Sequence, residues 1–566
     1  MENEAENAFP LLEEFEVPTI EQWKAMASSQ LKGASFEKSL ISDTPEGIAK
    51  RPIYTADDVE EMGIATPDPG LFPYVRGSTA SGYFSRSCKT GVRVSGGSPS
   101  ALNRLLKSLP KRKDALLYLN PVGCLEGESA AGGFSYRNLE SLSKVLQDVD
   151  VASHTICLDA GERTFSHFAL LISHLRASGI PLDKVRGCIV NDPYGTLLLQ
   201  KGRHDIDEHW RKTAGLLEWN RRDGSRWSLL GVDGRIYREC GGNIAQEIAY
   251  SLASAVETTR ELLSRGFTAD AVIGQIHFNV AVGSDFFMEI AKFRAMRTLW
   301  AQIAEAYDAD VGEGPTIYAF SSLRNKSLYD PHVNILRTTT EALSAILGGA
   351  DAICLVPFDF LTEKSNEMSS RLALNVSHII REEGFCDRVI DPAGGSWMVE
   401  SIAHRLGEKA WLLFQEIERE GGMCEAIKAG SVRSRIESSA QNEMEDLRQG
   451  RKIFVGSNRF EDPSEVPKEI PREEAEQSTA EEKTAEREKA LTGISERIAA
   501  PQPADGPNAN LFESVVEAFC TGAAVEEVEQ ALTVGATGSK GKFTSNNRPL
   551  RMQRATEQVE RARRKK

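Results

Sequence analysis

From residue 113 to 400, short unbroken apolar runs alternate with stretches of helical period, and this alternation restricts the fold more than anything else in the chain. The runs are Ala115-Leu-Leu-Tyr-Leu-Asn120, His154-Thr-Ile-Cys-Leu-Asp159, Gly187-Cys-Ile-Val-Asn191, Trp227-Ser-Leu-Leu-Gly-Val232, Ile273-Gly-Gln-Ile-His-Phe-Asn279, Thr316-Ile-Tyr-Ala-Phe-Ser321, Ala352-Ile-Cys-Leu-Val-Pro357 and Arg388-Val-Ile-Asp391. Runs without a polar alternation suit strands buried on both faces, which is the condition of a parallel sheet. Between them, Phe286, Ile290, Phe293, Met296 and Trp300 recur at spacings of three and four, as a helix requires. Asp285 stands where an N-cap would. Eight such strand–helix units predict an α/β fold of the (β/α)8 TIM-barrel type. An open doubly wound sheet is the rival, but no Gly-rich phosphate loop follows any of the runs.

The flanks read differently. Residues 1–112 form an extended N-terminal arm: Trp23, Leu31, Phe36, Leu40 and Ile41 are isolated apolar anchors, and Pro67-Asp-Pro-Gly-Leu-Phe-Pro73 is loop chemistry. Residues 401–460 continue the barrel domain as helix. Residues 461–510 lose their aromatics and fill with Glu, Lys, Pro, Ser and Ala, the composition of a solvated acidic linker that is partly helical. Residues 511–566 combine a short amphipathic piece, Leu511 to Phe519, with a basic tail.

A net charge of −15 argues against nucleic acid or an anionic membrane as a partner for the whole chain. Nine scattered cysteines without a CxxC pair predict reduced thiols and a cytoplasmic setting, with no zinc site. The acidic first residues lack the basic region of a signal peptide, and no apolar run is long enough to span a bilayer. His277 reads as a satisfied residue of the barrel interior, His378 and His404 as surface or packing residues, and Cys354 as a buried strand residue.

Several segments, in order along the chain, resemble the coenzyme-B12-dependent acyl-CoA mutases, the methylmalonyl-CoA mutase family. Phe72-Pro-Tyr-Val-Arg-Gly77 is similar to an FPYxRG element that brings the arm, with Tyr74 and Arg76, near the pocket. Gly187-Cys-Ile-Val-Asn-Asp192 resembles the third-strand segment GTIQND. Asn243 to Tyr250 and Phe286 to Ala295 resemble barrel helices. Arg337-Thr-Thr-Thr-Glu-Ala342, Leu347-Gly-Gly349 and Val389-Ile-Asp-Pro-Ala-Gly-Gly-Ser396 resemble the last two barrel units, and Lys452 to Asn458 the close of the acyl-CoA domain.

The resemblance implies an adenosylcobalamin-dependent isomerisation of an acyl-CoA, and it also locates departures from it. Tyr318 stands at the histidine of an RTHCQTSG-like segment on the sixth strand, Val190 at the Gln of GTIQND, and Gln200 at a carboxylate-binding Arg. Lys201 or Arg203 is close enough in sequence to replace that Arg. The family's cobalt-ligating DxHxxG has two partial echoes, Asp207-Glu-His209 and Asp330-Pro-His332, each lacking the Gly. About 55 residues follow the linker, too few for a complete cobalamin-binding domain.

The implied function is therefore that of the small (beta) subunit branch: a non-catalytic, metal-free barrel that stabilises a catalytic alpha subunit in a heterodimer, with adenosylcobalamin on the partner. The other implied reading is a catalytic acyl-CoA subunit that borrows a separate small cobalamin-binding chain.

Overall fold

The structure is a computed structural model. It describes residues 18–536 apart from 65, 95–97, 110–114, 122–135, 201–204, 224–225, 311, 363–365, 463–484 and 500–508. Lys201, Arg203 and the basic tail lie outside the described residues.

Eight parallel strands form one sheet: β1 Lys89–Val92, β2 Leu116–Leu119, β3 Thr155–Leu158, β4 Arg186–Val190, β5 Arg226–Asp233, β6 Ile276–Val282, β7 Thr316–Ser321 and β8 Ala352–Leu355. Each strand from β2 to β7 pairs with its successor, β8 pairs with both β7 and β1, and a bridge from Thr90 to Ala115 closes the ring. Helices α1 Pro99–Ser108, α2 Leu139–Leu146, α3 Thr164–Ala177, α4 Ile206–Asp223, α5 Ile244–Ser264, α6 Phe286–Ala306, α7 Val333–Leu347 and α8 Glu367–His378 follow the strands in turn. This is the expected (β/α)8 barrel. Every residue of β2, β3, β6 and β8 is buried, as strands enclosed by side chains within and helices without must be.

One of the eight runs is not a strand, and one strand lies outside them. Arg388-Val-Ile-Asp391 is not a strand: Asp391 has a φ of 51° and Pro392 follows, so the run bends into a turn. The missing strand is β1, within the segment read as arm. Its Lys-Thr-Gly-Val sequence carries little apolar signal because Gly91 is needed there. A Cβ at Gly91 would stand 2.8 Å from the Leu116 carbonyl oxygen. The GTIQND-like segment is thereby the fourth strand of the barrel and Tyr318 lies on the seventh.

The arm lies along the barrel and is held by charge. Arg297 of α6 donates from Nε to the Tyr74 carbonyl at 3.1 Å, and Arg76 Nε donates to Asp391 at 3.0 Å. Asp285 precedes α6 as expected, but its carboxylate makes no cap hydrogen bond; it accepts from Lys50 of the arm at 2.6 Å.

After the barrel come α9 Trp397–Arg419, α10 Met423–Ala429, α11 Ser431–Arg448, α12 Ala485–Ala499, α13 Ala509–Cys520 and α14 Val525–Ala536. The stretch read as linker thus contains a helix. The last three helices pack together and against α3 and α4. Phe512 enters an aromatic cluster with Phe168, Trp219 and Phe165, and Glu513 accepts from the Trp219 indole at 2.6 Å.

Candidate functional site

In a barrel of this kind, chemistry belongs at the C-terminal ends of the strands. Here those ends are occupied by the chain's own charges. Asp159 follows β3, Asp233 ends β5, and Arg235 opens the short helix Arg235–Glu239 just beyond it. The guanidinium of Arg235 grips Asp233 with Nε at 2.6 Å and Nη2 at 2.8 Å, and reaches Asp159 with Nη2 at 2.9 Å. The Tyr118 hydroxyl of β2 donates to the same Asp159 oxygen, and the Arg235 guanidinium lies 4.2 Å from the Phe320 ring centroid. A buried charge persists only when paired and hydrogen-bonded, and this set meets that condition with one guanidinium for two carboxylates.

The electrostatics follow from the sharing. Burial works against ionised Asp159, but Arg235 and the Tyr118 hydrogen bond outweigh it and hold the carboxyl below its ordinary value. For Asp233 burial wins and the pKa is raised, with Arg235 opposing. Burial and the adjacent Asp159 push the Tyr118 phenol well up, so it remains a donor.

Below this layer the axis is lined by buried side chains. Val190 and Tyr318 belong to one buried cluster with Leu116, Tyr118, Phe320 and Cys354, among others. Two of the substituted positions expected from the sequence therefore meet at the barrel axis. Gln200 does not join them: it caps the short helix Pro193–Leu199 and hydrogen-bonds Glu162. Tyr74 and Arg76 act on the arm's seat, as described above, and do not line the cavity described next. The signal that pointed to Arg235 was available, since both Asp159 and Asp233 are carboxylates terminating apolar runs. Their shared partner was not, because Arg235 lies past its strand.

At the opposite, N-terminal mouth a cavity of about 1010 Å³ opens between the arm and the strand starts. Arg86 on its wall pairs with Glu313 at 3.1 Å and Lys184 with Asp183 at 3.9 Å. Lys89, Arg186 and Arg226 make no ion pair with a described residue, so the wall carries net positive charge. Burial, and next the neighbouring Arg86, lower the Lys89 pKa.

The two partial DxHxxG echoes do not fit a cobalt-ligating loop. His209 lies inside α4 with its ring edge-on to Trp210 at 5.0 Å, and His332 stacks on Phe358 at 4.8 Å. Among the described residues no group of three or more His, Cys, Asp or Glu side chains is arranged to hold a metal. No described helix is long and apolar enough to cross a membrane. His277 is buried in the interior as expected, but it is not satisfied: neither ring nitrogen has a hydrogen-bond partner.

Comparison with known proteins agrees with this architecture. The sequence model of the methylmalonyl-CoA mutase family matches residues 43–537. The methylmalonyl-CoA mutase small subunit of Porphyromonas gingivalis is 31% identical over 464 residues, covering 81% of this chain and 72% of that protein. The small subunit of Streptomyces virginiae is 32% identical over 470 residues, covering 80% of this chain and 72% of that one. The large subunit from the same organism is 27% identical over 456 residues, covering 78% and 62%. The chain belongs to the methylmalonyl-CoA mutase family.

Proposed function

We propose that this chain is the small subunit of a heterodimeric methylmalonyl-CoA mutase and that it stabilises a catalytic large subunit without turning over substrate itself. The observation that carries this reading is the filling of the barrel. A mutase must seat an acyl group where the strands end, and here Tyr118, Phe320, Val190 and Tyr318 pack the axis beneath the Arg235 ion cluster. Seating a substrate carbonyl there would require breaking a buried ion network, which costs several kcal/mol, about 3–5 for a single lost partner. Adenosylcobalamin is assigned to the partner, because neither His209 nor His332 has the Gly of a DxHxxG loop. The names of the two subunits in Streptomyces virginiae support a pairing of this kind.

A second reading draws on the cationic cavity at the N-terminal mouth. Lys89, Arg186 and Arg226 suit the phosphates of a CoA ester, as a catalytic subunit with a borrowed cobalamin-binding chain would need. The filled axis weighs against it, since the acyl end would then have no place to react. Co-expression of this chain with a large subunit encoded beside it distinguishes the two. A one-to-one complex on size-exclusion chromatography is the expected result. A chain that ignores the large subunit, but becomes active with a small cobalamin-binding protein, would establish the second reading instead.

A further inference from the structure

One polar cluster inside the barrel is left unexplained by packing. Cys157 of β3 and Cys188 of β4 are register partners on adjacent parallel strands, and both are fully buried. Their side chains belong to the same buried cluster at the barrel axis. His277 of β6 lies beside Cys188, buried, with neither ring nitrogen hydrogen-bonded, and its ring centroid is 5.4 Å from that of Tyr318. Gly231 makes room for the imidazole: a Cβ there would stand 2.6 Å from His277 Nε2. A buried imidazole without a partner is costly and calls for a reason.

The other interior cysteines behave as inert buried thiols. Burial pushes Cys88, Cys240 and Cys354 each up to about 12. Cys188 differs. Burial raises it as well, but Cys157, His277 and Tyr318 outweigh burial and bring it down to about 5. Cys157 is held well above the ordinary thiol value, by its hydrogen bond with Cys188 and by burial. The pair is thus asymmetric, with Cys188 the more readily ionised sulfur. The 1010 Å³ cavity at the N-terminal mouth comes near them, lined by Thr155, Gly187, Ser228 and Tyr318. Thr155 and Gly187 lie two and one positions before the cysteines on their own strands.

We propose that Cys157 and Cys188 form a peroxide-reactive dithiol that closes into a disulfide across β3 and β4. His277 takes the Cys188 proton. The Cys188 sulfur attacks one oxygen of hydrogen peroxide, the O–O bond breaks, and the departing hydroxide leaves as water with the proton from His277. The Cys157 sulfur then attacks the resulting Cys188 sulfenic acid, the S–O bond breaks, and a second water carries off the Cys157 proton. Two thiols and one peroxide become one disulfide and two waters. Neighbouring strands about 4.8 Å apart fall inside the roughly 4.4–6.8 Å Cα separation that a disulfide spans.

The test uses the full-length purified protein. It is treated with hydrogen peroxide, denatured in excess alkylating reagent, and mapped by peptide mass spectrometry without reduction. The expected product is a cross-linked pair of peptides containing Cys157 and Cys188, with Cys88, Cys240 and Cys354 still alkylated and the link removed by dithiothreitol. If Cys157 and Cys188 stay alkylatable at a peroxide dose that already oxidises the exposed Cys520, the proposal is wrong. In a His277→Gln variant that still folds, cross-linking should slow about tenfold through loss of thiolate. An unchanged rate would remove His277 from the step.

Discussion

Arg235 decides the character of the barrel mouth. Its guanidinium is the shared counter-ion of Asp159 and Asp233, all three buried. Replacing it with methionine keeps the volume and strands two carboxylates. Arg235→Met should therefore lose about 3–5 kcal/mol of unfolding free energy in urea titrations, while Arg235→Met combined with Asp159→Asn and Asp233→Asn should recover much of it. A second buried cluster gives a pH signature. Burial raises Glu247 to about 7, against the pull of Lys292, whose Nζ donates to it at 2.9 Å. A carboxyl whose folded pKa is raised contributes stability below its unfolded pKa and loses it as pH rises through the folded one. Relative to Glu247→Gln, the wild type should therefore be about 2 kcal/mol more favoured at pH 5 than at pH 7.5, as read from paired denaturation curves. Val190 and Tyr318, singled out from the sequence as pocket positions, lie in one buried cluster of the barrel. Gln200 lies apart from them at a helix cap, and Arg235 was not singled out because it lies past its strand and one of its carboxylate partners comes from β3.

Elements were legible where burial is dense on both faces. The seven runs from Ala115 to Pro357 became strands because each packs between an inner layer of side chains and an outer helix. β1 escaped notice because its stability comes from its neighbours β2 and β8, and its own residues are chosen for closeness at Gly91. Helix α13 shows in the sequence as the amphipathic piece Leu511 to Phe519, whereas α12 and α14 dock through few apolar residues, among them Ile494, Val525, Val528 and Leu532. Phe512 sits among Phe168, Trp219 and Phe165 with 1% of its surface exposed. Phe512→Ala should cost about 3–5 kcal/mol at that contact and release α12–α14 from the barrel. Limited proteolysis would register this as cleavage after α11 at a protease dose that leaves the wild type whole, and an unchanged cleavage pattern would mean that the ion pair of Arg176 with Glu513 holds the helices by itself.

At the scale of the whole molecule, the chain keeps the (β/α)8 barrel of its family around an axis of buried side chains. The segments shared with the family build helices and closing turns, whereas the axis holds bulky side chains and the mouth an ion cluster. On the function proposed above, such a molecule serves its partner through its outer surface. Turnover of methylmalonyl-CoA to succinyl-CoA in the presence of adenosylcobalamin, measured for the purified chain alone and then with its large subunit, tests this most directly. The account predicts no turnover above the protein-free rate for the chain alone and turnover once the large subunit is added, unchanged by Tyr318→Phe in this chain. Turnover by the chain on its own, or loss of the complex's activity on Tyr318→Phe with the complex intact, would contradict it.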